Sequence, residues 1–256
     1  MNLIGNQHIY RDKLIRNLLE NNKELLLNNN LNNAVCYDGI IDESVYSNHK
    51  YRLAFLLKET NGNTTDGCIP QKYDDWDYVG WIKNSQSTGK EKIYPTLRNI
   101  AMWTSEFYDM LKYCSIDKET YLKDGVLQMT DDLYGSLRRI AIINLKKTFG
   151  GGTSNWYDID KYLTEEVCNI LYEEICIVEP TVILCGGREV FDFVLKIHRA
   201  DKELIDFTYT KYGRKLLYMK VGGMLYVNFF HPACRKSREY LFDFAQDIFD
   251  TVCKML

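Results

Sequence analysis

Four polar side chains near the ends of apolar runs are the residues of this chain whose types could support chemistry. Glu59 and Asn61 follow one such run, Asn144 lies near the end of a second, and His231 follows a third. A carboxylate can position a water or offset positive charge, an amide offers a donor and an acceptor, and an imidazole exchanges protons near neutral pH. The set could support polar chemistry if the fold brings it together.

The apolar runs predict the strands that must position these side chains. Residues 51–57 (YRLAFLL) are almost all apolar, as in a parallel strand that is buried on both faces. The predicted strands are 51–57, 140–145, 181–185, 216–221 and 224–230, of which the last two form a hairpin around Gly222-Gly223. Helical spacing predicts helices over 8–27, 95–111, 164–178, 189–198 and 237–252.

Strands that alternate with helices predict an α/β fold, a three-layer sandwich with a mostly parallel central sheet. Ligands in such folds bind outside the carboxyl ends of the strands, which is where the four polar residues fall. The chain has 256 residues, 46% of them hydrophobic, and only 4 prolines. We therefore expect a single domain over 1–256 with an N-terminal helical extension over about 1–48.

Charge and cysteine content limit the classes of function. The net charge is −3, so any contact with a nucleic acid must depend on a local basic patch. The 8 cysteines are scattered without CxxC pairs, the N-terminus is polar, and no apolar run could span a membrane. These features predict a cytoplasmic protein with reduced thiols, and we expect a monomer without a metal or cofactor.

The order of the motifs resembles the uracil-DNA glycosylase superfamily. The motifs are LLKETNG (56–62), AIINLKK (141–147) and NFFHPACRKSRE (228–239), each at a predicted strand end. Between them, residues 165–191 are similar to the helix, proline and glycine-ended strand of the iron–sulfur-type branch. The resemblance covers roughly residues 50–250 and implies a uracil-DNA glycosylase-like fold.

The resemblance implies a role for each candidate residue. Glu59 would position water or offset the cationic sugar, and Asn61 competes for that role if the register shifts by one. Asn144 and Thr60 would bind the flipped base, and His231 would donate to the base oxygen in the transition state.

The same resemblance implies contacts with DNA. The loop that carries Arg235, Lys236 and Arg238 would enter the minor groove, as in the family. Lys146 and Lys147 form a second basic cluster at another strand end, which we expect to contact phosphates.

The chain also departs from the family pattern. Lys146-Lys147 replaces a Lys-Cys, no upstream cysteine pair exists, and only Cys168 stands where a cluster ligand would. Because a cluster needs four thiolates, we predict no iron–sulfur cluster. Thr60 falls where other branches place a catalytic Asp or Asn, and Asn61 falls at the usual proline. These departures leave open a base other than plain uracil.

The leading hypothesis is therefore a monofunctional DNA glycosylase that acts on uracil or a modified pyrimidine, in repair or in defence against phage with modified bases. No lysine is clearly placed to form a Schiff base, so strand cleavage is not expected. Two alternatives are a catalytically inactive DNA- or nucleotide-binding module with the same fold and an unrelated flavodoxin-like binder of small molecules.

Overall fold

The computed structural model describes residues 11–27, 34–61, 75–84, 95–114, 122–123, 126–127, 133–150 and 155–256. The α-helices of these ranges are α1 (Arg11–Asn21), α2 (Lys23–Leu27), α3 (Glu43–Tyr46), α4 (Tyr78–Asn84), α5 (Pro95–Tyr113), α6 (Leu133–Leu137), α7 (Trp156–Tyr162), α8 (Glu165–Val178), α9 (Arg188–Ile197) and α10 (Arg238–Cys253). The strands are β1 (Cys36–Tyr37), β2 (Gly39–Ile40), β3 (Leu53–Asn61), β4 (Trp76–Asp77), β5 (Leu122–Lys123), β6 (Val126–Leu127), β7 (Ala141–Gly150), β8 (Val182–Gly186), β9 (Asp206–Tyr209), β10 (Lys215–Val221) and β11 (Met224–Phe229).

A seven-stranded mixed sheet forms the centre of the fold, in the order β2-β7-β3-β8-β11-β10-β9. The four central strands β7, β3, β8 and β11 are parallel, whereas β2, β10 and β9 pair antiparallel at the two edges. The predicted α/β class is thus confirmed. The predicted hairpin is also present, since β10 and β11 pair across Gly222-Gly223.

Two apolar cores cover the two faces of the sheet, because side chains of a strand alternate between faces. On one face, Phe55 and Leu57 of β3 pack with residues of α5 and α10. On the other face, Ala54 and Leu56 pack with residues of α1, α8 and α9. Helices therefore lie on both faces of the sheet, as a three-layer arrangement requires.

The order of the parallel strands defines where a ligand crevice can form. The chain moves from β3 outward to β7, and then returns to the other side of β3 for β8 and β11. The strand order consequently reverses between β3 and β8. In open α/β sheets, ligands bind outside the carboxyl ends of the strands at such a reversal.

The helix boundaries follow their caps closely. The Thr164 hydroxyl accepts a hydrogen bond from the Val167 amide at 3.4 Å, which begins α8 where the sequence predicts it. The helix ends at Val178, before a left-handed Glu179 and Pro180. The Ser237 hydroxyl likewise accepts from the Tyr240 amide at 3.2 Å and begins α10.

The strand predicted over 140–145 is longer in the structure, because β7 continues to Gly150. Lys147 therefore lies inside the strand, and its side chain is 0% exposed. Its Nζ lies 2.5 Å from Asp38 Oδ1 and 2.5 Å from Glu174 Oε2. The expectation that Lys147 contacts DNA phosphates is corrected by this placement, because its amine is enclosed by two carboxylates in the interior.

The pKa values of the buried Lys147 and Glu174 depend on each other and on Asp38. Burial alone would lower the pKa of Lys147, but Asp38 and Glu174 together raise it, so the amine is charged. Burial raises the pKa of Glu174 to about 8, against the opposing effect of Lys147. At neutral pH Glu174 therefore favours its protonated form beside the Lys147 ammonium.

We predict that Glu174→Gln changes how stability depends on pH. Because the pKa of Glu174 is higher in the folded than in the unfolded chain, this group makes the free energy of unfolding fall as pH rises from about 5 to about 8. Glutamine keeps the shape of the side chain and removes its titration. The unfolding free energy of the wild type minus that of the variant should therefore fall as pH rises over this range. Urea unfolding at several pH values measures it. Parallel stability curves for the two proteins would contradict the assignment.

Candidate functional site

The ends of β3, β8 and β11 meet at the reversal of strand order. A Cβ added to Gly186, the last residue of β8, would lie 2.9 Å from Leu57 Cδ2 and 3.4 Å from Pro232 Cδ. A larger side chain at position 186 would crowd Leu57 and Pro232, so the glycine favours the close approach of the residues after β11 to the other strand ends. His231 and Pro232 lie at this crevice.

His231 is a half-buried imidazole held by the backbone that follows it. Its Nδ1 accepts a hydrogen bond from the Ala233 amide at 3.1 Å, which places the ring proton on Nε2. The Asn99 Nδ2 on α5 donates to the Pro232 carbonyl at 2.7 Å and fixes the same turn. Burial, and then the charge of Lys58, lower the pKa of His231 to about 4. At neutral pH the ring is thus an uncharged Nε2–H donor.

Lys58 is the residue at this crevice that sequence reasoning missed. Its half-buried Nζ lies 4.3 Å from the centre of the Trp156 ring. Burial lowers the pKa of Lys58, while the carboxylates of Glu189 and Glu59 act in the opposite direction. Its position before Glu59, at the end of a buried strand, was the signal available in the sequence, because alternation turns neighbouring side chains to opposite faces.

Glu59 lies on the other face of β3 and is paired. Its side chain is 5% exposed, and its Oε2 accepts from Lys146 Nζ at 2.9 Å. The two residues are neighbours in the parallel register of β3 and β7. A Cβ added to Gly150 would lie 2.0 Å from Glu59 Cδ, so the absence of a side chain there makes room for the carboxylate.

Lys146 is accordingly not a surface lysine. Its side chain is 9% exposed and its amine is bonded to Glu59. The expectation that Lys146 contacts phosphates is corrected in the same way as for Lys147, since β7 runs through both positions instead of ending before them. One of the two expected basic clusters is therefore internal.

Asn144 contacts Thr60, and Asp38 accepts hydrogen bonds from Asn144. Asn144 Nδ2 donates to Asp38 Oδ2 at 2.8 Å and to Thr60 Oγ1 at 3.3 Å, and its backbone amide donates to Asp38 Oδ2 at 2.7 Å. The Thr60 hydroxyl also lies 3.3 Å from Cys36 Sγ. Asn144 is buried, so its amide group orients the Thr60 hydroxyl from within the sheet.

The candidate residues thus form separate groups along one sheet edge. Among the residues that the structure describes, no hydrogen bond or ion pair joins His231 to Glu59 or to Asn144. The backbone of Asn61 pairs with Gly150 beyond an irregularity in the β3–β7 register, but its side chain lies outside the described residues.

The second expected basic cluster is on the surface. Arg235, Lys236 and Arg238 are exposed, in the turn after Pro232 and at the start of α10. Lys236 Nζ lies 5.9 Å from the centre of the Tyr240 ring. These cations lie within seven residues of His231 in the chain.

A cavity of about 210 Å³ lies elsewhere, at the β2 edge of the sheet. It is lined by residues of α1, β4, α4 and the segment 37–41, including Arg16, Asp38 and Asp77. The Arg16 guanidinium is paired with Asp77 at 3.2 Å. This cavity shares only Asp38 with the network behind Asn144, and it is not the crevice at the strand ends.

The described residues form neither a metal site nor a membrane-spanning helix. No group of three or more His, Cys, Asp or Glu side chains among them is arranged to hold a metal ion. In the same part of the chain, no helix has the length and apolar character needed to cross a membrane.

Comparisons of the chain with protein-family models, with curated proteins and with solved structures found no match.

We predict that Lys58→Met raises the pKa of His231. Removal of the nearby positive charge removes one of the two causes that depress it, while burial remains, so the pKa should rise from about 4 without reaching its ordinary value. Titration of the His231 Hε1 resonance by NMR measures the shift. Lys50→Met, at an exposed lysine that lies over the Tyr51 ring, is the matched control and should leave the resonance unchanged. An unaltered pKa in Lys58→Met would show that the two groups are not coupled.

Proposed function

We propose that this protein is a monofunctional DNA glycosylase with a uracil-DNA glycosylase-like fold, which hydrolyses the N-glycosidic bond of a flipped uracil or modified pyrimidine. The observation that carries the proposal is the state of His231. It is a neutral Nε2–H donor after the last parallel strand, beside the reversal of strand order. The motif order described above supports the same fold family.

The departing base is where His231 would act. Cleavage of the bond leaves negative charge on the base, and a donor that is already oriented stabilises that charge without reorganisation. The Ala233 amide and the Asn99–Pro232 hydrogen bond hold the imidazole in place. Lys58, close enough to depress the pKa of His231, adds positive charge on the same side.

The sugar carries the complementary positive charge. Glu59 is the carboxylate within β3, and its pairing with Lys146 offsets part of its own charge. Stabilisation of the leaving base by His231 and Lys58 would then contribute more to the rate than stabilisation of the sugar by Glu59. Thr60, oriented by Asn144, supplies a hydroxyl at the same edge for the base or for a water.

DNA itself would be held next to the crevice. Arg235, Lys236 and Arg238 are exposed directly after His231-Pro232, so their charges can reach the phosphates that flank a flipped nucleotide. Because Thr60 and Asn61 depart from the family pattern, the substrates to be tested include modified pyrimidines. Challenge of cells that carry the gene with phages of different base composition separates repair from defence.

We predict that His231→Gln lowers base release by about 10² to 10³-fold, the usual cost of removing one preorganised donor. Glu59→Gln should cost less, because Lys146 already offsets that carboxylate. The assay incubates oligonucleotides containing uracil or modified pyrimidines, treats them with alkali and resolves the cleaved strands. His198→Gln is the matched control, since His198 is also partly buried but bonds to Tyr226. Base release that survives His231→Gln would contradict the proposed role, and absence of release from every substrate would contradict the enzyme class.

A non-catalytic module with the same fold is the second candidate function. It is favoured by one observation, that Glu59 and Asn144 already have internal partners in Lys146 and Asp38. Tight binding of DNA without base release in the same assay would support it.

A further inference from the structure

An aromatic cluster adjoins the crevice on the α10 side of the sheet. The rings of Phe230 and Phe244 lie 4.0 Å apart between centres, and Tyr240 lies 6.1 Å from Phe230. Phe230 immediately precedes His231, so the cluster begins at the candidate leaving-group donor. The outermost ring, Tyr240, is 40% exposed.

Cations lie over these rings. The Arg214 guanidinium carbon is 5.1 Å from the centre of Phe244 and 5.7 Å from the centre of Tyr240, and Lys236 Nζ is 5.9 Å from the centre of Tyr240. Arg214 is held by the buried Asp247 at 3.3 Å. We call Phe230, Tyr240, Phe244, Arg214 and Lys236 the aromatic-basic surface.

The stretch of sequence that carries this surface differs in charge from the chain as a whole. Residues 206–247 contain seven basic residues (Lys211, Arg214, Lys215, Lys220, Arg235, Lys236 and Arg238) and four acidic ones (Asp206, Glu239, Asp243 and Asp247), of which Asp247 is paired with Arg214. The whole chain has a net charge of −3. The excess of positive charge is therefore concentrated in the part of the chain that carries His231, and it is complementary to an anionic polymer.

We propose that the aromatic-basic surface binds single-stranded DNA that flanks the flipped base, and that single-stranded DNA is in consequence the preferred substrate. The choice of DNA and of a flipped base rests on the proposed function. Unpaired bases have free faces that stack on aromatic rings, while nearby cations follow the phosphates. Bases inside a duplex are already stacked on one another, so they cannot stack on the partly exposed ring of Tyr240.

Stacking and charge make separate contributions, and each can be removed. Tyr240→Ala removes the exposed ring, and should weaken binding of single-stranded DNA about tenfold, as the loss of one stacked base does. Tyr240→Phe keeps the ring and should keep the affinity. Lys236→Gln should reduce the slope of log affinity against log salt by about 0.7, the value for one phosphate contact on a single strand.

The matched control is Tyr113→Ala. Tyr113 is 59% exposed and has a lysine over its ring, Lys112 at 4.6 Å, as Tyr240 has Lys236. It lies at the far end of α5 from Asn99, which contacts Pro232, and the helical rise separates the two by about 20 Å. Its removal should leave binding unchanged.

Fluorescence anisotropy with a labelled twelve-nucleotide thymidine strand, and with the same strand in a hairpin duplex, tests the proposal on the full chain. We expect the wild type to bind the single strand more tightly than the duplex. Tyr240→Ala should lose this preference, whereas Tyr240→Phe and Tyr113→Ala should keep it. Tighter binding of the duplex, or a Tyr240→Ala variant that binds the single strand as wild type does, would overturn it. Circular dichroism of each variant checks that the fold is retained.

This outcome is separable from that of the proposed function, because binding is measured without base release. Single-strand binding through Tyr240 with no release from any substrate would leave the surface assignment standing and overturn the glycosylase. Release from single-stranded DNA that is indifferent to Tyr240→Ala would leave the glycosylase standing and overturn the surface assignment.

Discussion

The ammonium of Lys147, buried between Asp38 and Glu174, is the interaction on which the arrangement of the site depends. It joins the segment before β2, the strand β7 and the helix α8 at one point in the interior. A buried charge is tolerated only when its partners are in place, and loss of one partner costs about 3–5 kcal/mol. The pairing therefore specifies where these three elements meet, whatever its net contribution to stability.

Asp38 connects that pairing to the edge of the sheet. The second oxygen of its carboxylate accepts from the backbone and the side chain of Asn144, and Asn144 in turn donates to Thr60 at the end of β3. Asp38 thus replaces the hydrogen-bond partner that a neighbouring strand would otherwise supply to β7. The polar groups at the ends of β3 and β7 are oriented from the interior of the protein, which is how a site becomes rigid before a ligand arrives.

The other side of the crevice depends on two basic side chains, Lys58 and His231, of which the first lowers the pKa of the second. Lys58 and His231 are both partly buried, and burial lowers the pKa of each. Since the histidine gives up its proton far more easily, the lysine carries the charge and the histidine is a neutral donor. The basic residues that follow His231 extend this positive region along the surface, although the chain as a whole is acidic.

The sequence by itself determined the central strands, most helices and the positions of His231 and Thr60 at strand ends, because apolar periodicity and helix caps are local signals. It did not determine how β7 ends. Lys146 and Lys147 are typical of the polar turn after a strand, and only partners distant in the chain, Glu59, Asp38 and Glu174, allow them to continue the strand inside the protein. Lys58 was missed for the same reason, since its environment is supplied by Trp156 and His231, which no local pattern places beside it. Tertiary structure alone decided which charges are buried, because the cost of burying a charge is offset only by groups that folding brings to it.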